Sequence, residues 1–446
     1  MNGRVLAERL VDAGLDPAEL PAKTRLYDTV LAAVHDVTGS LPMDASWVPG
    51  RLELFGTHTD YAGGRTLVSA VPRGFAFAAR PRSDGRLQVL DAVAGQSVTL
   101  EATAGSFRWT GWRHYIEVVV ERLARNFPGA QLGAEIVFAS DLPRAAGMSS
   151  SSALMVGVAT TLVRLAGIRE RAEWRESIRS PLDEAGYYAC IENGRPFAAL
   201  SGDAGVGTHG GSEDHAAIVC GEAGRLFAYA FVPMRLIEAV HLPEAWQVVI
   251  AASGVAAEKT GRALDAYNRL ARGATILRDL WNRAGGHATS LAAALASDAS
   301  AVDQLRALVR EARFGDWSPD ALDRRLRHFV REDARTPEAV RALRDADAGE
   351  VAALAAASQL DAEELLQNQI EETAALTRSA MDAGAIASRS FGAGFGGSVW
   401  ALTERERSTA FARQWIDAYR ARFPEAGAVA FVAQPAPSVA ELLAGA

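Results

Sequence analysis

The sequence predicts an α/β fold with mixed sheets backed by helices, in one large domain or two medium ones, and three observations carry that expectation. Short runs rich in Ile, Val and Phe, such as Ala134 to Ala139, alternate with stretches whose apolar residues recur at helical spacing. A length of 446 residues is enough to bury real cores. A hydrophobic content of 49% against 22% charged residues describes a soluble globular chain rather than a disordered one. The net charge of −8 argues against nucleic acid or an anionic membrane as the main partner. It leaves ATP open, because a local arginine and Mg²⁺ site can hold polyphosphate inside an acidic envelope. The two cysteines, Cys190 and Cys220, do not make a disulfide scaffold and fit a reducing cytosol. With no signal-peptide core and no run of about 18 apolar residues, a cytoplasmic protein is expected.

Taken in order, residues 1 to about 38 are expected to be helical, with Tyr27, Val30, Leu31 and Val34 on the buried face. Trp47 to Phe55 alternates as a strand does, and Gly56 to Gly64 is a turn packed with polar groups. Arg51, His58 and Asp60 are costly to cluster unless they face a ligand or water. A solvated turn is the alternative, and one His with one Asp offers too few ligands to define a metal site. Strands are expected at Phe75 to Ala79 and Leu87 to Leu90. A helix carrying Trp112, Tyr115, Ile116, Val119 and Leu123 follows, its aromatic pair assigned to the core.

The stretch Pro143-Arg144-Ala145-Ala146-Gly147-Met148-Ser149-Ser150-Ser151-Ser152-Ala153-Leu154 sets a glycine and four hydroxyls where a loop becomes a helix. That helix presents Leu154, Val158, Leu162 and Leu165 on one face and ends near Gly167. Unpaired amides and a partial positive charge at such a helix start favour a phosphate. Gly147 lets the backbone approach closely, and the serines add short donors or a Mg²⁺ ligand. A serine-rich helix cap is the alternative.

Residues 181–192 form the next expected helix, and Glu192 by itself is a solvated carboxylate at its end. A glycine-rich loop from Leu200 to Gly211 leads to Ser212-Glu213-Asp214-His215, where Asp214 by itself is a helix cap. Strands are expected at Arg225 to Phe231 and Trp246 to Ala251. A long helix from about Ala256 to Trp281, carrying Tyr267-Asn268-Arg269, follows. The Ala- and Ser-rich region 285–302 is assigned to a surface excursion. Helices are expected from 303 to 383, one of them starting at Pro337. The glycine cluster within Ser388 to Leu402 is either a structural bulge or a ligand cradle. The end, 434–446, is expected to be peripheral.

Several of these pieces, in this order, resemble the galactokinase branch of the GHMP small-molecule kinases over about residues 25–432. They are Gly50-Arg51-Leu52-Glu53-Leu54-Phe55-Gly56-Thr57-His58-Thr59-Asp60-Tyr61, Gly147-Met148-Ser149-Ser150-Ser151 and Gly392-Ala393-Gly394-Phe395-Gly396-Gly397. Tyr267-Asn268-Arg269 and residues 327–335 add to the likeness. No Gly-x4-Gly-Lys-Ser/Thr run is present, so a P-loop kinase is not the template. The resemblance implies a two-domain GHMP kinase architecture, with residues 1–225 holding the sugar signature and phosphate loop and residues 226–446 the glycine cluster. The active site would lie in the cleft between them.

The implied activity is that of an ATP-dependent sugar-1-kinase, transferring the γ-phosphoryl of MgATP to the C1 hydroxyl of galactose. In that family pattern Asp214 is the catalytic aspartate and Arg51 the arginine beside it. Gly147, Ser149, Ser150, Ser151 and Ser152 hold the nucleotide, and Ser151 and Glu192 hold Mg²⁺. Thr57, His58, Asp60 and Tyr267 fall at sugar-contacting positions. The partners implied are a small-molecule sugar and ATP, in a monomer or weak dimer.

Two departures from the pattern bear on substrate. Thr57 stands where galactokinases usually carry a Glu facing the C6 hydroxyl, which admits galacturonate or another C6-altered sugar as the alternative substrate. Glu213-Asp214-His215 replaces the usual Met-Asp-Gln, and the longer spacing from Glu192 makes Asp203 a rival for the aspartate role. An alternative of another class is a non-catalytic sugar and ATP sensor. Such sensors are expected to have a damaged serine loop, whereas Ser149, Ser150 and Ser151 are intact here.

Overall fold

The computed structural model describes residues 2–103, 105, 110–256, 261–311, 313–315 and 317–443. Strand Asp44–Phe55 (β1) is buried along its whole length because helices cover both of its faces. The side-chain alternation of a strand divides it. Ala45 and Trp47 join Leu6, Leu10, Tyr27 and Val30 of the N-terminal helices. Val48, Leu52 and Leu54 join Leu154, Val158 and Leu162 of the serine helix on the other side.

After a tight turn at Asp60–Ala62 the chain returns as Arg65–Pro81 (β2). Strands Arg86–Asp91 (β3) and Gln96–Glu101 (β4) form a hairpin, and Ala134–Ser140 (β5) lies between β2 and β3, parallel to β3. Arg225–Ala230 (β6) pairs with the start of β2, and Arg235–His241 (β7) pairs with β6. The second sheet is antiparallel throughout. It comprises Trp246–Ala252 (β8), Ala387–Phe391 (β9), Ser398–Glu404 (β10) and Val429–Ala433 (β11), in the order β11-β8-β10-β9. The chain ends on Ala440–Leu443 (β12), which pairs with β1 and so belongs to the first sheet.

Several sequence expectations are corrected here. The N-terminal helix is two helices, Gly3–Asp12 and Leu20–Thr38, because Gly14 adopts φ +103° and Pro17 opens a separate turn. β2 runs well beyond Phe75 to Ala79. Pro337 does not start a helix: it lies inside Pro319–Arg344, whose first position is taken by Pro319 behind the Ser318 cap. The region 285–302 does lie largely at the surface, but it contributes a short helix, Leu291–Ala296, that anchors it by burying Leu291 in one cluster with Leu277 and Leu305. The end is not peripheral. Ala436 donates its amide to the Ala70 carbonyl and Leu442 is buried, while residues 444–446 lie outside the described residues.

The long helix is described over Gly261–Arg283, and residues 257–260 of its expected start lie outside the described residues. The expected boundary at 225/226 falls at the first residue of β6, and the first sheet takes strands up to His241. Among the described residues no helix is long and apolar enough to cross a membrane.

Candidate active site

A cleft of about 800 Å³ opens where β1, the serine corner, the helix Glu213–Cys220 and the β9–β10 turn meet. Arg51 from the middle of β1 is its centre. Its side chain is buried, and it donates through Nε to Asp214 Oδ1 at 2.7 Å and through Nη2 to Glu213 Oε1 at 2.9 Å. Burial opposes its charge, but its carboxyl neighbours, Asp214 first among them, outweigh that and keep the guanidinium firmly protonated. Asp214 sits in the first turn of its helix rather than at the cap, which is Ser212. Its rival Asp203 pairs with Arg122 at 3.3 Å, accepts the Gly205 amide and does not line the cleft.

The serine corner turns through two left-handed residues. Gly147 has φ +72° and Ser149 φ +60°, and the helix Ser150–Leu165 starts directly after them. Three contacts hold this shape: Arg51 donates its amide to Met148 O at 3.1 Å, Arg51 Nη1 approaches Gly147 O at 3.4 Å, and Ser398 Oγ donates to Ala146 O at 2.6 Å. The glycine cluster supplies the close approach behind it. A Cβ on Gly392 would come within 2.8 Å of Gly147 O, so bulge and cradle are one feature, and Gly392 and Ala393 line the cleft.

Ser149 Oγ is buried and has no hydrogen-bond partner, which is costly unless a ligand supplies one. Ser149, Ser150 and Ser151 line the cleft. Ser152 instead lies beneath it, fully buried, and donates to Glu192 Oε2 at 2.7 Å with Asp214 Oδ2 at 3.4 Å. It ties together the two carboxylates that were picked out separately. Glu192 is buried and lines the cleft, not a solvated helix end.

The signature turn supplies the other wall. Asp60 accepts the Tyr61 amide at 2.7 Å and the Glu213 amide at 3.1 Å, and its carboxylate rests on Gly211, where a Cβ would lie 1.8 Å from Oδ2. Burial raises the Asp60 pKa and the Asp214 charge adds to this, against the two amides. His58, at φ +59°, meets the Ala393 carbonyl through Nε2 at 3.1 Å and the Tyr61 hydroxyl through Nδ1 at 2.9 Å. A carbonyl can only accept, so Nε2 carries the hydrogen. The Tyr267 ring lies 5.4 Å from the His58 ring. Buried Arg325 donates to His58 O at 2.6 Å and holds the strained residue in place.

Thr57 departs from its expected place. It does not line the cleft, because its hydroxyl lies between Glu53 and Arg389, both fully buried, and bonds to each. Arg389 in turn donates to Leu54 O at 3.0 Å and Glu332 Oε1 at 3.2 Å, and Glu332 accepts the Gly56 amide at 2.9 Å. Arg65 pairs with Asp333, Arg73 stacks 4.1 Å over Phe431, and neither lines the cleft. Glu53, Arg325, Glu332 and Arg389 were not picked out from the sequence, and Glu213 was noted only as a departure from the family pattern. The signal available was a lone charge inside an otherwise apolar strand, at Glu53 and Arg389, which needs a buried partner. Trp112 and Tyr115, assigned to the core, line the far end of the cleft while their bodies pack on the core.

Comparison with known proteins meets this geometry at three places. The galactokinase galactose-binding signature matches residues 43–81, the GHMP kinase N-terminal domain residues 114–180 and the GHMP kinase C-terminal domain residues 339–421. A galactokinase of Chloroflexus aurantiacus is 29% identical over 405 residues, covering 88% of this chain and 92% of that protein. A galactokinase of a Roseiflexus species is 29% identical over 384 residues, covering 83% and 86%. Among solved structures, Lactococcus lactis galactokinase complexed with galactose superposes with a TM-score of 0.75 at 22% identity, covering 92% of this chain and 98% of that one. Methanococcus jannaschii mevalonate kinase gives a TM-score of 0.51 at 11% identity, covering 88% and 98%.

The fold is that of the GHMP kinases, and the models of both domains of that family match the chain. With the galactose-binding signature and galactokinase relatives beside them, the chain is a galactokinase-like sugar kinase, with ATP as its nucleotide.

Proposed function

We propose that the enzyme transfers the γ-phosphoryl group of ATP to the C1 hydroxyl of galactose. The observation that carries this reading is the Arg51–Asp214 pair set in one cleft with the serine corner. In it, phosphate oxygens dock on the first-turn amides of the serine helix and on Ser149 Oγ, the buried hydroxyl that lacks a partner. Asp60, fixed by two amides, accepts from sugar hydroxyls, with Tyr267 and His58 packed beside it. Asp214 accepts the proton of the reacting hydroxyl as its oxygen attacks in line. Arg51 offsets charge building on the phosphoryl oxygens.

Positioning on rigid elements supplies most of the rate. Ser151 and Glu192 both line the cleft with oxygen donors, which fits Mg²⁺, an ion held by one or two protein oxygens together with substrate phosphates. Glu192 and Ser151 would hold it, and it would neutralise charge between the β- and γ-phosphates.

The test is ADP release from ATP with a panel of sugars. Galactose is expected to give the highest kcat/KM, and no sugar-dependent release from any member would overturn the proposal. Gly211→Ala should drive a methyl into the Asp60 carboxylate and raise the galactose KM about tenfold.

Galacturonate is the less supported substrate, since Thr57 turns away from the cleft and neither Arg65 nor Arg73 lines it. Restoring the usual glutamate by Thr57→Glu should therefore not retune the enzyme toward galactose. A glutamate there would bring a further carboxylate against buried Glu53, costing about 2 kcal/mol of stability and leaving the galactose-to-galacturonate ratio unchanged. Denaturant midpoints and the two kcat/KM values check both parts. The intact serine loop and the Arg51–Asp214 contact support an enzyme over a silent sensor.

A further inference from the structure

Glu213 is absent from every role assigned so far, yet it shares the centre of the cleft. Arg51 Nη2 reaches Asp214 Oδ1 at 2.6 Å and Glu213 Oε1 at 2.9 Å, so the two carboxyl groups lie side by side on one nitrogen. Glu213 is 8% exposed and lines the cleft, and its second oxygen, Oε2, is buried with no hydrogen-bond partner. A buried polar atom left unsatisfied in a ligand cleft marks where a ligand atom completes it. We propose that Glu213 is a specificity-determining residue, its Oε2 side binding the oxygen on the carbon next to the one phosphorylated, which is the C2 hydroxyl of an aldose. This rests on the sugar-1-kinase reading above.

The protonation of Glu213 decides the sense of that hydrogen bond. The charged and titratable groups around it are Arg51 and Glu53 from β1, Asp60 and Tyr61 from the signature turn, Tyr267 from the helix Gly261–Arg283, and Asp214 beside it. Burial, followed by the charge of Glu53, raises the Glu213 pKa well above the carboxylate range in spite of Arg51. With Oε1 accepting from Arg51, the proton sits on Oε2, and the neutral carboxyl donates to the sugar oxygen. As pH rises through this raised pKa the donor is lost and a negative charge appears, so sugar binding weakens on the alkaline side.

The experiment compares galactose with 2-deoxygalactose on the wild type, Glu213→Met and Glu213→Gln. In the wild type the missing hydroxyl should cost about tenfold in kcat/KM, the worth of one buried hydrogen bond. In Glu213→Met that discrimination should vanish, with the loss taken in the sugar KM and the ATP KM unchanged. Glu213→Gln, a neutral isostere that keeps a donor, should restore the discrimination and remove the alkaline rise in sugar KM. Absence of sugar-dependent turnover in the wild type overturns the parent reading and this one with it. Turnover with the same discrimination in wild type and Glu213→Met overturns this one alone. Should Glu213→Met not fold, an alkaline rise in sugar KM that persists in Glu213→Gln overturns it.

Discussion

Asp214→Asn is expected to lower kcat by about three to four orders of magnitude, the span of a positioned general base, while galactose and ATP still bind. The substitution is isosteric. Its amide oxygen can still accept from Arg51 Nε, now at 2.7 Å from Oδ1, and Glu213 still accepts from Nη2. The cleft wall therefore stays in place, and what is lost is the carboxylate charge beside Arg51, which in the proposed reaction takes the proton. Calorimetric affinities within a few fold of wild type, beside the collapse in turnover, would separate chemistry from binding. A kcat within tenfold of wild type would remove Asp214 as the base.

The second large effect falls on stability and lies beneath the sugar turn. Arg389 is 1% exposed and is shared by Glu53 at 3.4 Å, Glu332 at 3.2 Å and the Leu54 carbonyl at 3.0 Å. Arg389→Met keeps much of the stem but leaves buried carboxylates short of their counter-charge. That should cost about 3–5 kcal/mol, read as a lowered denaturant midpoint. A loss under about 1 kcal/mol would show that the carboxylates find other partners.

The pH sense follows from Glu332. Burial pushes its pKa up, but Arg389 and then Arg335 pull it below the ordinary value. A carboxylate depressed on folding contributes stability that is fully present above its unfolded value near about pH 4.3 and fades as pH falls through the folded value. Without Arg389 that contribution shrinks, so the variant should lose less stability than wild type between neutral and acid pH. Glu332 also holds the Gly56 amide at 2.9 Å, so the variant should show a raised galactose KM as well.

Much of the site was legible because its chemistry is expensive. A helix start with four serines behind a glycine, and an arginine followed by His and Asp in one turn, are arrangements a solvated surface does not require. Residue chemistry marked Arg51, His58 and Asp60, whereas Asp214, Glu192 and Tyr267 came from the family resemblance alone; all six line one cleft with the serine corner. The failures have a common source. Thr57 was assigned a direction from its place in a motif, and a side chain's direction depends on what competes for it, here Glu53 and Arg389 from separate strands. Pro337 was taken for a helix start from its residue type alone, although Ser318-Pro319 supplied the actual cap.

By itself, then, the sequence determined local chemistry: the alternation of strands and helices, the glycine–serine corner at a helix start, and the kind of group that each motif offers. Tertiary structure alone decided which carboxylates share Arg51, that Ser152 joins Glu192 to Asp214, and that the chain's end returns as β12 against β1. The physical reason is distance along the chain. Propensity, capping and periodicity act over a few residues, whereas a buried charge is placed by partners such as Arg51 and Asp214, 163 positions apart, that meet only once the core has closed.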